Sequence, residues 1–201
     1  MMVKRNAAST RGDLLEAAFH EMHEHGTRGT SLDRILSRTG LTKGALYHHF
    51  KNKDELVLAV VDEVIGNYIQ QTWVKPVMEA DDPLAAMIES INRTWEDVPE
   101  EASRLGCPLN RLGQESELDS SLQEHIESVY RNWRDSLATA FSRGQKRGFV
   151  KHDVDVVGLA TFLVISHQGF SSLMKCKENQ AELKSASDIL IRLLESYRLQ
   201  N

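Results

Sequence analysis

Apolar residues return at three- and four-residue steps along almost all of the 201-residue chain, and nowhere do they settle into alternation. A helix needs that period to keep one face dry, whereas a half-buried strand needs a period of two. The expected fold class is therefore all-α, cut by punctuating residues into about nine helices. Leu14, Leu15, Ala18, Phe19 and Met22 form one stripe, which Gly26 closes. Ser31 reads as the N-cap of a short helix carrying Leu32, Ile35 and Leu36 and ended by Gly40. Thr42 caps a third helix that runs to about Phe50. A longer helix from Lys53 to about Trp73 places Leu56, Val60, Val64 and Tyr68 at four-residue steps. Pro76 and the Asp81-Asp82-Pro83 start signal mark a junction, after which helices fall at about 83–97, 106–115, 119–147, 154–175 and 182–199.

A composition of 41% hydrophobic and 26% charged residues excludes a disordered chain and a disulfide-framed miniprotein. The longest strongly apolar stretch, Val154 to Ile165, contains Asp155 and Gly158 and is read as too short to span a bilayer. The N-terminus is polar and lacks a signal-peptide core, so a soluble cytoplasmic protein without a membrane partner is expected. Cys107 and Cys176 lie far apart in no metal-ligand spacing, and each reads equally well as a small buried hydrophobe. His20 and His23 share a helical face with no carboxylate completing a metal site. No metal or cofactor is implied.

Net charge is −5, but it is unevenly distributed. Residues 1–55 hold nine Lys/Arg and seven Asp/Glu, a balance of +2, with five of the eight histidines; the remainder carries −7. A mildly basic head on an acidic body is the pattern of a DNA-binding head. The expected domains are residues 1–55 and residues 56–201, sharing the helix that starts at Lys53.

Residues 31–50 have the shape of a helix-turn-helix: a capped two-turn helix, a glycine-containing turn and a second short helix. At 100° per residue, Lys43, Gly44, Tyr47, His48 and Lys51 fall on one side of the second helix. Ala45 and Leu46 point the other way, with Phe50 close behind. One face can then pack inward while the other offers a phosphate- or guanine-seeking Lys, donors from Tyr and His, and a Gly that permits close backbone approach. An ordinary αα-hairpin with a solvated polar face has the same pattern.

The run Thr30-Ser31-Leu32-Asp33-Arg34-Ile35-Leu36, continued by Gly40-Leu41-Thr42-Lys43-Gly44-Ala45-Leu46-Tyr47-His48-His49-Phe50-Lys51-Asn52-Lys53-Asp54-Glu55-Leu56, resembles the signature of the tetracycline-repressor (TetR) family. The resemblance covers roughly residues 10–62. It implies an N-terminal three-helix DNA-binding head and a C-terminal helical body for ligand binding and dimerisation, in a homodimer that represses transcription and leaves its palindromic operator on binding a small molecule. It also implies that Thr30 and Ser31 donate to phosphate and that Lys43 and Gly44 face base edges. Tyr47, His48 and His49 would hold the backbone, Lys53 would neutralise a phosphate, and Thr42 belongs to the same DNA-binding set. By the helical wheel His49 lies off the exposed face, which leaves it a packing role. Lys4, Arg5 and Arg11 are candidates for a flexible basic arm.

The body offers two kinds of surface. Val156, Leu159, Ala160, Leu163, Val164, Phe170, Leu173 and Met174 lie on one helix, and Ile189, Leu190, Leu193, Leu194 and Tyr197 on the last. The family resemblance makes these two helices the dimer face; the same stripes would also close a monomer core. A pocket for an apolar, aromatic or electrophilic inducer is expected among Met87, Ile91 and Trp95; Ile126, Tyr130, Trp133 and Leu137; and Phe162 and His167, although each aromatic taken alone reads more readily as plain core. Cys107 precedes Pro108 at a helix start, where partial positive charge stabilises a thiolate, with Arg104 and Arg111 nearby in sequence. Its Gly-Cys-x-x-x-x-Leu setting is similar to a TetR subgroup in which cysteine senses electrophiles or oxidants. The competing classes are a helical enzyme using Cys107, with His167 as partner, and an interaction module that has kept the helix-turn-helix shape. No nucleophile elbow or oxyanion loop accompanies Cys107, so the expectation is not an enzyme.

Overall fold

The computed structural model describes residues 7–96, 104–115, 120–175 and 180–199. Nine helices carry these residues: α1 (Ala7–Gly29), α2 (Leu32–Thr39), α3 (Lys43–His49), α4 (residues 53–79), α5 (Pro83–Glu96), α6 (Pro108–Glu115), α7 (Ser120–Lys146), α8 (Val156–Lys175) and α9 (Gln180–Ser196). The only β-type pairing among the described residues is an isolated bridge between Val150 and Arg198. Lys4, Arg5 and Cys176 lie outside the described residues.

The chain forms two compact units. The first holds α1 to α3, α4 as far as Asn67, α6, and α7 as far as Glu127; the second holds α4 from Tyr68, α5, α7 from Ser128, α8 and α9. This division differs from a line between residues 55 and 56. Leu109 and Leu112 of α6 and Leu122 and Ile126 of α7 are buried within the first unit, and α6 packs on α1.

In the first unit the stripe on α1 is buried as its spacing requires, with Leu14, Ala18 and Met22 at 0–1% exposure, above Ile35, Leu46, Phe50, Leu56 and Val60. Gly26 breaks α1 at φ 73°, a left-handed conformation that costs a residue with a Cβ, and one further turn follows before α2. Ser31 and Thr42 cap α2 and α3 by accepting from the backbone N–H of Arg34 and Ala45, at 3.4 and 3.2 Å. Asn52 caps α4 in the same way, accepting from Glu55 at 2.8 Å, while the Glu55 carboxylate accepts from Lys51 N–H.

The expectation that α4 stops near Trp73, before Pro76, is corrected by a helix that continues to Glu79. A proline inside a helix removes a donor and crowds the carbonyl four residues back. Here the stretch Gln70–Val74 is π-helical, with Lys75 N–H bonded to Gln70 O, and Pro76 enters at the start of the final segment. The wider turn leaves no α-type bond at Pro76 to be lost.

In the second unit Trp133, Leu137, Ala140 and Phe141 of α7 are buried at 0–2% exposure. Arg198 ties the end of the chain to the start of α5, donating to Asp82 at 3.0 and 2.7 Å and to Glu195 at 2.9 Å. The apolar segment read as ending at Ile165 extends to Lys175. This 20-residue helix is long and apolar enough, at mean hydropathy 1.4, to cross a bilayer by length and composition alone. Only one side of α8 is buried, by Leu159, Ala160, Leu163 and Val164. Val157, Phe162, Ile165 and Leu173 are exposed, as is Ile189 on α9. Leu173 and Ile189, members of the two expected apolar stripes, are therefore not part of this chain's own core.

Candidate nucleic-acid interface and apolar cavity

Helix α3 is anchored from below and open above. Leu46 and Phe50 are buried at 0–1% exposure, whereas Lys43, Gly44, Tyr47 and His48 are exposed on one face. Lys43 Nζ lies 3.0 Å from Asp33 Oδ1 of α2, and that hydrogen bond raises the ammonium pKa above its usual value. His48 and His49 stack edge to face at 5.1 Å, and the half-buried His49 ring also approaches Phe50 at 6.4 Å. His49 thus sits between the open face and the core.

The structure does not bring Thr30 to this face. Thr30 is buried, and its hydroxyl donates to Gly26 O at 2.6 Å, closing the turn between α1 and α2 instead of pointing outward. Ser31 is half-buried, with its oxygen engaged in the α2 cap. Lys53 is half-buried at the start of α4, its Nζ 3.5 Å from Arg28 O. Arg11 belongs to no flexible arm: its guanidinium bonds to Glu63 and stacks over the Phe50 ring, 5.0 Å from the centroid.

Two acidic residues that sequence reasoning missed shape this unit. Glu21, at 0% exposure, accepts from Arg34 Nε and from Ser31 N–H at 3.3 Å, fixing the start of α2 to α1. Glu115 of α6 accepts from both the backbone N–H and the hydroxyl of Thr27, at 2.7 and 2.9 Å, beside the Gly26 kink. A Cβ on Gly26 would stand 2.1 Å from the Glu115 carboxylate. Arg111, also on α6, donates to Glu24 O at 3.2 Å.

Within the second unit an apolar cavity, open to solvent on one side, lies among α4, α5, α7, α8 and α9. Met87, Ile91 and Trp95 line it from α5, and Trp133 and Leu137 from α7. Trp73, Leu163, His167, Phe170 and Met174 complete most of the wall. The His167 ring stands edge-on to both Trp73 and Trp133, at 4.8 and 5.1 Å between centroids. Burial lowers the His167 pKa to about 4, so the imidazole is neutral at pH 7. Trp95 Nε1 donates to Ser187 Oγ at 2.8 Å.

Phe162 is corrected out of this wall: it is 45% exposed, one residue and 100° round α8 from Leu163. Tyr130 does not line the cavity either. It lies half-buried within electrostatic reach of Cys107, and burial pushes its phenol well above the usual range. Tyr68 also feels Cys107, although burial contributes most to its raised pKa. Cys107 itself is half-buried, one residue ahead of α6 and after Gly106 at φ 76°. The cavity and the thiol are therefore separate features.

Residues 14–60 match the family model for bacterial regulatory proteins of the tetR family, and residues 83–190 match the tetracyclin repressor-like C-terminal domain. The chain belongs to the TetR family. The transcriptional repressor DhaR of Mycobacterium sp. strain GP1 is 23% identical over 92% of this chain and 91% of its own length. A TetR-family regulator from Cytophaga hutchinsonii superposes over the whole of both chains with a TM-score of 0.82 at 20% identity. SmeT, the repressor of the Stenotrophomonas maltophilia multidrug efflux pump SmeDEF, was solved as a triclosan complex. That structure has a TM-score of 0.73 at 23% identity, covering 96% of this chain and 93% of SmeT. This TetR-family chain is accordingly a helix-turn-helix transcriptional regulator and not an enzyme.

Proposed function

We propose that this regulator is a repressor that binds a palindromic operator as a homodimer and leaves it when a small molecule fills the cavity of its second unit. The observation that carries the DNA-binding part is the divided surface of α3, with Leu46 and Phe50 buried beneath exposed Lys43, Gly44, Tyr47 and His48. Lys43 and Gly44 approach base edges. Tyr47, His48 and His49, with Ser31, Thr42 and Lys53 at three helix starts, hold phosphates. Thr30 serves this set from within, by fixing the turn that precedes α2.

The exposed apolar residues of α8 and α9 support dimerisation through the last two helices. An apolar face of that kind on a soluble protein needs a cover, and a second copy provides one with the two-fold symmetry that a palindrome requires. The repressor acts in the cytoplasm, where its operator is. For the effector, the aromatic wall of the cavity supports a small apolar or aromatic molecule, and SmeT's complex with triclosan is a precedent in the same fold. Occupancy is coupled to α3 through the chain segments that pass from one unit to the other, and a coupling of about 1–3 kcal/mol changes operator affinity roughly 5- to 150-fold.

The position of Cys107 favours a second trigger, modification of its thiol by an electrophile or oxidant. The residue adjoins α6, whose Glu115 holds the Gly26 turn. The test follows fluorescence anisotropy of a labelled duplex, taken from the DNA upstream of the gene, with wild type and Cys107→Ser. Release of wild type alone by one equivalent of a thiol alkylator supports the thiol trigger. Release of neither by an alkylator refutes it and leaves the cavity as the effector site. Failure to bind any upstream duplex at low salt refutes the proposal as a whole.

A further inference from the structure

An acidic side chain stands beside the face of α3 that is proposed to meet DNA. The side chains of Asp33 and Lys43 are 77% and 67% exposed, and they meet at 3.0 Å between Oδ1 and Nζ. An ion pair this open to water adds little to stability. A carboxylate close to phosphates also works against binding. The pair nevertheless stands on two fixed points. Asp33 is the second residue of α2, whose start is held by the Ser31 cap and by the neighbouring Arg34, which donates to buried Glu21 and to Gly29 O at 2.5 Å. Lys43 is the first residue of α3, directly after the Thr42 cap. Two capped helix starts thus present one donor and one acceptor side by side at the surface.

We infer that Asp33 and Lys43 together read one base pair that carries a carbonyl on one strand and an amino group on the other, with G·C preferred. The inference rests on α3 facing the major groove, and adds to that reading a residue of α2 and the chemistry of the base pair. In a G·C pair the carbonyl and amino groups at the centre of the major groove, guanine O6 and cytosine N4, are themselves hydrogen-bonded at about 2.9 Å. That spacing matches the 3.0 Å between Lys43 Nζ and Asp33 Oδ1. Lys43 Nζ then donates to O6 while the outer N4–H of cytosine donates to Asp33, and neither side chain has to release the other. Guanine N7 offers the ammonium a second acceptor, which places G·C first. Thymine O4 and adenine N6 repeat the same order of carbonyl and amino group, so T·A is tolerated. The reversed pairs, C·G and A·T, set an amino group against the ammonium and a carbonyl against the carboxylate, and both contacts repel. A lone lysine would read one strand; the carboxylate reads the other.

The experiment uses the full-length chain and the stretch of upstream DNA that it protects from nuclease, with each base pair replaced in turn by the other three. Affinities are read by competition anisotropy at one salt concentration. Each readout is a ratio between duplexes, so the overall gain in affinity from losing a negative charge does not enter it. The expected result is one position in each half-site that ranks G·C above T·A and disfavours A·T and C·G about tenfold or more. At that position, N4-methylation of the cytosine in the G·C duplex replaces the outer N–H with a methyl group and keeps the base pair. Methylation should weaken wild-type binding about five- to tenfold, whereas Asp33→Ala, a change at an exposed side chain, should bind both duplexes equally. The absence of any position with this ranking, a wild type indifferent to N4-methylation there, or an Asp33→Ala protein that keeps the full methylation effect would each overturn the inference while leaving α3 as the DNA-reading helix. Failure of the wild type to protect any upstream DNA would overturn that reading as well.

Discussion

Replacing Gly26 by alanine is expected to destabilise the first unit through two separable effects. Gly26 has φ 73°, so a Cβ there carries the left-handed strain of about 1–2 kcal/mol. The same Cβ would lie 2.1 Å from one Glu115 oxygen and 2.6 Å from the other, so the carboxylate must swing away. It then loses its bonds to Thr27 N–H and Oγ1. Bonds to a charged acceptor contribute about 1.5–3 kcal/mol each when buried. With the Glu115 side chain 27% exposed, about 2 kcal/mol for the pair is the sounder figure. Gly26→Ala should therefore cost about 3–4 kcal/mol and Glu115→Ala about 2 kcal/mol. The double variant should cost no more than Gly26→Ala alone, because the displaced carboxylate is already gone. Urea unfolding followed by far-UV circular dichroism, at matched protein concentration, measures the cycle. A non-additivity of about 2 kcal/mol is expected. Additive costs would refute the claim that the Gly26 kink and Glu115 act as one unit.

Three further outcomes follow from other parts of the molecule. Asp33→Asn removes both the partner that holds Lys43 and a negative charge beside the DNA-facing side of α3, so duplex affinity at low salt should rise several-fold in an anisotropy titration; unchanged or weaker binding would mean that Lys43 does not reach DNA. His167 is held neutral with a pKa of about 4 against an ordinary 6.5, so the unfolded chain binds a proton that the folded chain refuses between those values. The stability is complete above pH 6.5 and is lost as pH falls toward 4, by up to about 2–3 kcal/mol, and His167→Phe should flatten this fall in urea-unfolding midpoints measured across the range. Ile165→Glu places a charge on the exposed apolar side of α8, and sedimentation velocity should show a shift from dimer to monomer; a dimer that survives would locate the interface elsewhere.

The helices were legible because each has both a stripe and a punctuation mark. Ser31, Gly40 and Thr42 are caps whose chemistry is local, and the spacing of Leu46 and Phe50 alone separated the buried side of α3 from the exposed side. Long-range contacts were not legible. Glu21 and Glu115 read as ordinary surface acids in a helical pattern, because their partners lie 10 to 88 residues away in sequence. Thr30 was misdirected because a hydroxyl before a helix start serves a phosphate or a turn equally well, and only the Gly26 kink decides between them. Phe162 failed through angular resolution: one residue along α8 moves a ring from the cavity to the outer face. Trp73 went unassigned because the helix carrying it was expected to end there, and the π-turn that lets it continue past Pro76 has no period in the sequence.

The most direct test of the account is the affinity of the upstream duplex for wild type and for Lys43→Ala, measured by anisotropy across a salt series. The account predicts that log affinity falls steeply and linearly with log salt for the wild type, as phosphate contacts release counterions. It also predicts that Lys43→Ala, an exposed change that leaves Leu46 and Phe50 in place, weakens binding about tenfold or more at every salt concentration. Superimposable lines for the two proteins would contradict the assignment of α3 as the surface that reads DNA.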